Sequence, residues 1–323
     1  MKVLGISFGR KNGNCDIIMK QALIGARKTG AEVSFLNTCS LKIDRCTGCG
    51  ACDKVMERGG MSLCVLKDDF LFVREAIMDS DALMVAAPVY SVGPTGQYKN
   101  LVDRMGASHD RAALLKENQR RRSLGWGEDK MLDSRVFKNR PFAVISVGGA
   151  RTEGWTSLGL PNLHLLGFSN QMIPVDQINA YGMGDKVNPV FDENFMKRLL
   201  LLGENVAEAA TMLEEQIKWK GDDEGMCPTC HCRHLFIKSG TTVECAVCGS
   251  VGTLSIDGGE IKVEYTEEEI KRSRYHMGGL IEHQEEISDM MSNVSKVLEK
   301  RGGELGHLLS PLNEIPEIKP TKV

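Results

Sequence analysis

Short, continuously apolar runs alternate along the first half of the chain with longer segments in which apolar residues recur every three or four positions. The short runs predict five buried strands, over residues 2–7, 31–37, 82–88, 141–149 and 169–178. The longer segments predict helices over residues 15–30, 68–81, 96–106 and 191–219. Strands that alternate with helices indicate parallel βαβ units. We therefore expect an α/β domain with a doubly wound five-stranded parallel sheet over residues 1–220.

The pattern changes after residue 220, where two Cys-x2-Cys pairs flank short β-rich runs over residues 221–262. The pairs are Cys227 with Cys230 and Cys245 with Cys248. Four thiolates in two such pairs are typical of a zinc ribbon, a small β module whose folding energy comes from Zn2+. A rubredoxin-like iron centre uses the same four thiolates and is the alternative.

Residues 263–323 predict a helical tail. Thr266 and Glu269 have the spacing of a capping box, and the helical pattern continues to about residue 300, with a break expected at Gly278–Gly279. Residues 302–323 hold three prolines and few large apolar side chains towards the end. They predict an extended arm that reaches a neighbouring subunit.

Composition places the chain among ordinary globular proteins, with 323 residues, 42% hydrophobic and 26% charged. The formal net charge of −3 gives no general attraction to nucleic acid or to an anionic membrane. No apolar run reaches the ~20 residues that cross a bilayer, and the N-terminus lacks the sections of a secretory signal. We therefore expect a cytoplasmic protein with no nucleic-acid or membrane partner.

Eleven cysteines in a chain without an export signal suggest metal ligands rather than disulfides. Cys46, Cys49 and Cys52 follow one another at two-residue gaps, and Cys64 comes after an eleven-residue gap. Three thiols at this spacing can hold three corners of a [4Fe–4S] cluster, with the fourth ligand from further along the chain. Cys64 fits that position and Cys39 is a reserve. A structural zinc ion and reduced thiols without metal are the alternatives.

Glycine-rich loops are expected at the carboxyl edge of the sheet, where such folds bind ligands. The loop at 8–14 follows a strand and opens a helix, so its backbone N–H groups and Arg10 suit a phosphate. The loops at 88–97 and 148–156 suit a flat polar ring. Taken singly, each loop is equally consistent with a simple turn between elements.

These loops resemble those of the NADPH-dependent FMN reductase group, and more narrowly of its iron–sulfur flavoprotein branch, over residues 1–215. The loops read SFGRKNGNC, APVYSVGPTGQYKNLVDR and GGARTEG. Cys15 stands where the family usually has Thr or Ser, and the gap before Cys64 is longer than usual. The resemblance implies a flavodoxin-like fold that binds FMN. The FMN-binding residues that it implies are Ser7, Arg10, Asn12, Asn14, Cys15, Pro88, Val89, Tyr90, Ser91, Gly93, Gly148 and Gly149.

The resemblance also implies an activity. It is that of an oxidoreductase in which electrons pass from a ferredoxin-like donor or NAD(P)H, through a [4Fe–4S] cluster and FMN, to a small organic acceptor. A homodimer or homotetramer is implied as well. The residues indicate no catalytic acid or base. The alternatives are a non-catalytic electron-transfer flavoprotein and an NAD(P)H:FMN or quinone reductase with structural zinc only.

An insertion at 106–139 favours an enzyme, because long inserts at a ligand edge are often lids or subunit contacts.

Overall fold

The computed structural model describes residues 1–319, and its larger sheet has the expected doubly wound order. The strands are β1 (Lys2–Ser7), β2 (Glu32–Asn37), β3 (Ala82–Tyr90), β4 (Gly93–Pro94), β5 (Pro141–Val147) and β6 (Ile173–Ala180). Five strands run parallel in the order β2-β1-β3-β5-β6, and the short β4 turns back against the end of β3. This flavodoxin-like order confirms the predicted fold. It places the ligand crevice at the carboxyl ends of β1 and β3, where the strand order reverses.

Each face of this sheet has its own hydrophobic core. The helices are α1 (Asn14–Lys28), α2 (Ala51–Glu57), α3 (Phe70–Met78), α4 (Gly96–Ser108), α5 (Arg111–Ser123), α6 (Gly159–Ser169) and α7 (Glu193–Ala209). Helices α3, α4 and α6 pack with Ile6 and Val85 on one face. Helices α1 and α7 pack with Val3 and Met84 on the other. Because successive strand residues point to opposite faces and both faces are covered, the strands read as continuous apolar runs.

Helices α2, α6 and α7 differ from the expectation. Helix α2 lies in the cysteine loop, where no helix was predicted. Helix α7 ends at Ala209 and not at residue 219. The chain instead turns back so that the Lys220 N–H donates to the carbonyl of Val175 on the edge strand β6, at 2.8 Å. Helix α6 was not expected, because its sequence GLPNLHLLGFS carries Gly and Pro, which usually mark a loop. Its packing on the sheet outweighs these local preferences.

Helices α1 and α7 touch at their backbones through two glycines. A Cβ on Gly203 would lie 1.8 Å from the carbonyl oxygen of Ala22, and a Cβ on Gly25 would lie 2.0 Å from that of Leu200. Real Cβ atoms do not approach backbone oxygens this closely, so any larger residue at either position must separate the helices.

We expect Gly203→Ala to lower the free energy of unfolding by about 3 kcal/mol, because the added methyl group forces the helices apart and opens the core beneath them. Thermal or urea unfolding followed by circular dichroism would measure this loss. Gly306→Ala is the matched control, since a Cβ at Gly306 meets nothing within 4 Å. If Gly203→Ala were as stable as the control, the close helix contact would be disproved.

The smaller sheet matches the β-rich runs around the second cysteine group. It consists of β7 (Leu235–Ser239), β8 (Thr242–Cys245), β9 (Val251–Asp257) and β10 (Glu260–Glu264). The strands are antiparallel in the order β10-β9-β8-β7. Gly258 and Gly259 form the tight turn between the last two strands with positive φ angles of 60° and 87°, which glycine adopts without strain.

The tail differs from the expectation in two places. It contains α8 (Glu267–Lys271), α9 (Met277–Arg301) and α10 (Leu305–Asn313). The break falls at 272–276, and Gly278–Gly279 lie inside α9, where a Cβ on Gly279 would meet the carbonyls of the preceding turn at 2.3 Å. Residues 305–313 are helical rather than extended, because four leucines recur there at helical spacing. These are Leu305, Leu308, Leu309 and Leu312.

The chain divides into two compact units, residues 1–280 and 281–323. Both sheets lie in the first unit. The domain boundaries expected at 220 and 262 stay a prediction. None of the helices within residues 1–319 is both long enough and apolar enough to cross a membrane.

Candidate functional site

The loop between β1 and α1 is built around the buried carboxylate of Asp16. One carboxylate oxygen accepts hydrogen bonds from the Ser7 hydroxyl and the Asn37 amide, each at 2.6 Å. The other accepts from the Asn12 N–H at 2.7 Å. The Asn37 amide also donates to the Gly9 carbonyl at 3.0 Å. The carboxylate thus fixes both ends of the loop. Sequence reasoning missed Asp16 and Asn37 because an acidic residue in the first turn of a helix is ordinary.

Helix α1 offers an uncapped N-terminus at this loop. No side chain caps it at Gly13, so N–H groups of its first turn are available to a ligand. Asn12 adopts a left-handed φ of 57°, which turns the loop sharply into the helix. Uncapped N–H groups and the helix dipole together form an anion site.

A cavity of about 420 Å³ opens at this loop and is bounded by all three glycine-rich loops. Most of the predicted FMN residues line it. They are Arg10, Asn14, Cys15, Pro88, Val89, Tyr90, Gly148 and Gly149. Ser7, Asn12, Ser91 and Gly93 are not on its wall. Ser7 is fully buried and donates to Asp16, so direct contact of these four residues with FMN stays a prediction.

The second loop carries backbone strain beside this cavity. Ser91 and Val92 have φ angles of 49° and 74°. A β-branched residue such as Val92 rarely adopts this conformation, and strain of this kind concentrates at ligand sites. In the third loop, a Cβ on Gly148 would lie 2.2 Å from the Thr156 methyl group, so only glycine fits there.

Cys15 lies at the N-terminus of α1 and its thiol is neutral. Burial, together with the charge of Asp16, raises the pKa of Cys15 to about 12. A thiolate there would repel a phosphate, whereas a thiol does not. The uncapped helix, Arg10 and the neutral thiol therefore fit the phosphate group of FMN.

Cys15→Ser is expected to tighten FMN binding roughly fivefold, because a hydroxyl is a stronger hydrogen-bond donor than a thiol. Quenching of FMN fluorescence on titration with the FMN-free protein would give the dissociation constant. Cys39→Ser, at an exposed cysteine outside the cavity wall, serves as the control and should leave affinity unchanged. Weaker binding by Cys15→Ser would show that Cys15 does not contact the phosphate.

The first cysteine group lies on an irregular loop that leads into α2. Cys46 and Cys49 are exposed, and Cys52 and Cys64 are half-buried. Gly48 donates its N–H to the Cys46 sulfur at 3.5 Å. The Ala51 N–H and then the Thr47 hydroxyl lower the pKa of Cys49.

These four thiols are more widely spread than the second group. Burial, Asp53 and the Cys64 thiol raise the pKa of Cys52. Among the described residues, the loop cysteines do not form a group close enough to be recognised as a site for one metal ion. Four thiols on one loop are the donor set of a [4Fe–4S] cluster, and their assignment to a cluster stays a prediction.

The insertion braces this cysteine loop. Arg121 on α5 is fully buried. It donates to the carbonyls of Met56 and Gly60 at 2.9 and 2.7 Å and to the Glu117 carboxylate at 2.8 Å. The sequence did not indicate this role, because Arg121 stands in a run of three arginines that reads as a solvated helix end.

The second cysteine group forms a compact buried site. Cys227 and Cys248 have sulfurs 3.3 Å apart, those of Cys230 and Cys245 are 3.4 Å apart, and all four lie within 4.8 Å of one another. Zinc–sulfur bonds of about 2.3 Å place the sulfurs of a tetrahedral site about 3.8 Å apart. Contacts with Cys230 and Cys245 raise the pKa of Cys227, so a cation is needed to hold all four as thiolates. The group fits a tetrahedral metal ion, zinc or iron.

Comparisons with known proteins agree with this geometry. Residues 1–181 match the family of NADPH-dependent FMN reductases, and the chain belongs to that family. An iron–sulfur flavoprotein of Methanocaldococcus jannaschii is 31% identical over 175 residues, which are 54% of this chain and 75% of that protein. The chain is an FMN-dependent oxidoreductase.

Two similar proteins extend over nearly the whole chain. A flavone synthase of Aspergillus candidus is 29% identical over 301 residues, covering 89% of this chain and 88% of that protein. A solved structure of a flavone reductase has a TM-score of 0.81 and 25% identity, covering 99% of this chain and all of the other. The similarity therefore includes the small sheet and the tail as well as the FMN-binding part.

Proposed function

We propose that this protein binds FMN in the 420 Å³ cavity and catalyses electron transfer to or from a planar aromatic carbonyl compound of the flavone type. The FMN contacts are those predicted from the sequence. The observation that carries the proposal is this three-loop cavity with its uncapped helix terminus, in a chain whose whole-length relatives are both named for flavones. When bound, FMN supplies transfer of a hydride or of single electrons.

We further propose that Cys46, Cys49, Cys52 and Cys64 hold a [4Fe–4S] cluster through which a ferredoxin-like donor delivers electrons, with NAD(P)H as the alternative donor. The exposure of Cys46 and Cys49 supports electron entry from a partner surface. The loop starts beside the FMN cavity, because the amide of Asn37, at the end of β2, donates to the carbonyl of Gly9 at 3.0 Å, and Gly9 lines that cavity. Reduction of one conjugated carbon–carbon double bond takes two electrons and two protons. With a ferredoxin-like donor, two one-electron transfers supply the electrons and water supplies both protons, whereas NAD(P)H would supply a hydride and water the remaining proton.

A carrier without catalysis is the competing function, and the exposure of Tyr90, at 63%, favours it. An exposed aromatic at the cavity rim would allow a partner protein to approach the flavin edge. The structure also has space for a small acceptor beside the FMN cavity, which a carrier does not need.

The decisive test is anaerobic purification followed by an ultraviolet–visible spectrum, assays of FMN, iron and zinc, and turnover with flavone under reducing conditions. We expect one FMN and about four irons per chain, and consumption of flavone. A protein that holds FMN and is reoxidised by ferricyanide but never by flavone would be a carrier. FMN with zinc in place of iron would disprove the cluster, and a protein without flavin would disprove the proposal.

A further inference from the structure

A second cavity, of about 840 Å³, meets the FMN cavity. The two share Met183 and Lys186 on the loop after β6. The larger cavity has the volume of a site for a drug-sized ligand. The shared residues place the two cavities side by side.

One wall of this second cavity comes from the metal site. The segment 231–234, which directly follows the metal ligand Cys230, lines it opposite residues of β6 and the start of α7. The segment is held firmly. The His231 ring stacks on the Trp219 ring, with centroids 3.8 Å apart and an interplanar angle of 8°. The backbone carbonyl of His231 accepts a hydrogen bond from the side-chain amide of Gln177 on β6 at 3.0 Å. The wall is thus fixed by the four thiolates on one side and by the sheet on the other.

The charges on this wall favour a neutral ligand. Arg198 pairs with Asp176 at 2.5 Å and with Asp222 at 2.6 Å. Arg233 pairs with Asp223 at 2.5 Å. Lys186 pairs with Asp192. Because each of these cations already has a carboxylate partner, the cavity offers poor compensation for a phosphate or carboxylate. The pyrophosphate of NAD(P)H would be better bound elsewhere.

Apolar side chains on the same wall suit an aromatic ligand. Leu160, Ile178 and Phe195 provide the surface, and the Gln177 and Asn179 amides provide polar contacts among them. This apolar surface lies among charged residues whose cations are paired with carboxylates, and apolar surface beside a few fixed polar groups suits a small organic ligand.

From these contacts we infer that the 840 Å³ cavity binds the acceptor as a neutral planar aromatic molecule with carbonyl or hydroxyl groups, and that the metal-bound segment 231–234 determines which molecules fit. The metal site is then part of substrate recognition as well as of the stability of the small sheet. This inference rests on the proposed function, since it assigns the acceptor of that same reaction to a cavity.

The test uses the full-length, FMN-loaded, oxidised protein and flavone as the probe, with binding measured by perturbation of the FMN absorption spectrum. Ser157→Trp places a bulky ring at the wall of the cavity and should raise the flavone dissociation constant about tenfold or more, with FMN affinity unchanged. Leu115→Trp is the matched control. Leu115 itself lines neither the FMN cavity nor the 840 Å³ cavity. It lines a third cavity, of about 810 Å³, which shares only His231 with the 840 Å³ cavity, and the variant should bind flavone as the wild type does.

A flavone that carries a carboxylate should bind at least about tenfold more weakly than flavone itself, because it finds no unpaired cation. Equal flavone binding by Ser157→Trp and the wild type would overturn the assignment, as would tighter binding of the carboxylate. Consumption of flavone by the wild type, together with wild-type flavone affinity in Ser157→Trp, would overturn this inference alone. A wild-type protein that keeps FMN but neither binds nor consumes flavone would overturn the proposed function as well. Loss of FMN itself from the wild type would instead overturn the proposed function.

Discussion

Cys245→Ser is expected to release the metal ion of the small sheet and to unfold residues 221–264, while FMN stays bound. Structural zinc contributes about 10–16 kcal/mol to the folding of isolated zinc modules, and this module has little other core. Its buried cluster consists largely of the four ligands with Cys232, Val247 and Tyr275. The FMN cavity is lined by other segments. Elemental analysis would give the metal content, and limited proteolysis with mass spectrometry would locate the unfolded segment.

Cys232→Ser is the matched control for this prediction. Cys232 is 3% exposed and lies among the same buried side chains, yet it does not belong to the four-sulfur group. Its replacement should leave the metal in place. If Cys232→Ser lost the metal and Cys245→Ser kept it, the ligand set would be wrong. Because the segment after Cys230 forms a wall of the proposed acceptor cavity, Cys245→Ser should also weaken flavone binding.

Asp16→Ala should raise the dissociation constant of FMN by about 100-fold. The carboxylate accepts hydrogen bonds from Ser7, Asn12 and Asn37, and hydrogen bonds to charged groups contribute about 1.5–3 kcal/mol each. Without them the loop before α1 loses the shape that directs its N–H groups at the phosphate. A net loss of about 3 kcal/mol corresponds to a little over 100-fold in affinity. FMN fluorescence titration would measure it, and circular dichroism would confirm that the sheet remains folded.

Asp103→Ala provides the comparison, because Asp103 is a half-exposed carboxylate on α4 whose partner is the neighbouring Lys99. Exposed pairs of this kind contribute little, so FMN affinity should not change. Wild-type affinity in Asp16→Ala would show that the loop keeps its shape without the carboxylate, and the proposed role of Asp16 would fail.

Most of the fold could be predicted from the sequence because local patterns of apolar and polar residues specify its elements. The apolar runs of β1, β3 and β5 predict strands buried on both faces, and parallel order follows from their alternation with helices. The two Cys-x2-Cys pairs predict a metal site because both pairs act through local spacing. The glycine-rich loops predict the FMN cavity for the same reason, since the ends of parallel strands meet at one edge of the sheet.

The tertiary structure decided the features that depend on residues far apart in sequence. In the sequence nothing distinguishes Arg121 from Arg120 and Arg122. In the structure Arg121 is buried and stabilises the cysteine loop by donating hydrogen bonds to the carbonyls of Met56 and Gly60. Helix α7 ends before the expected residue, and the chain after it reaches β6, where the Lys220 N–H donates to the Val175 carbonyl. The spacing of apolar residues along the helix does not predict this contact. Hydrophobic periodicity specifies which face of an element is buried, but not which distant backbone group it will meet there.

The same distinction applies to the site. The sequence by itself determined a flavodoxin-like sheet, the glycine-rich loops and two groups of cysteines. Only the tertiary structure placed the FMN cavity beside a second cavity that shares Met183 and Lys186 with it and that has the segment after Cys230 as a wall. Charge pairing depends on three-dimensional neighbours, so the proposed preference for a neutral ligand rests on the pairing of Arg198, Arg233 and Lys186 with carboxylates and not on their order in the chain.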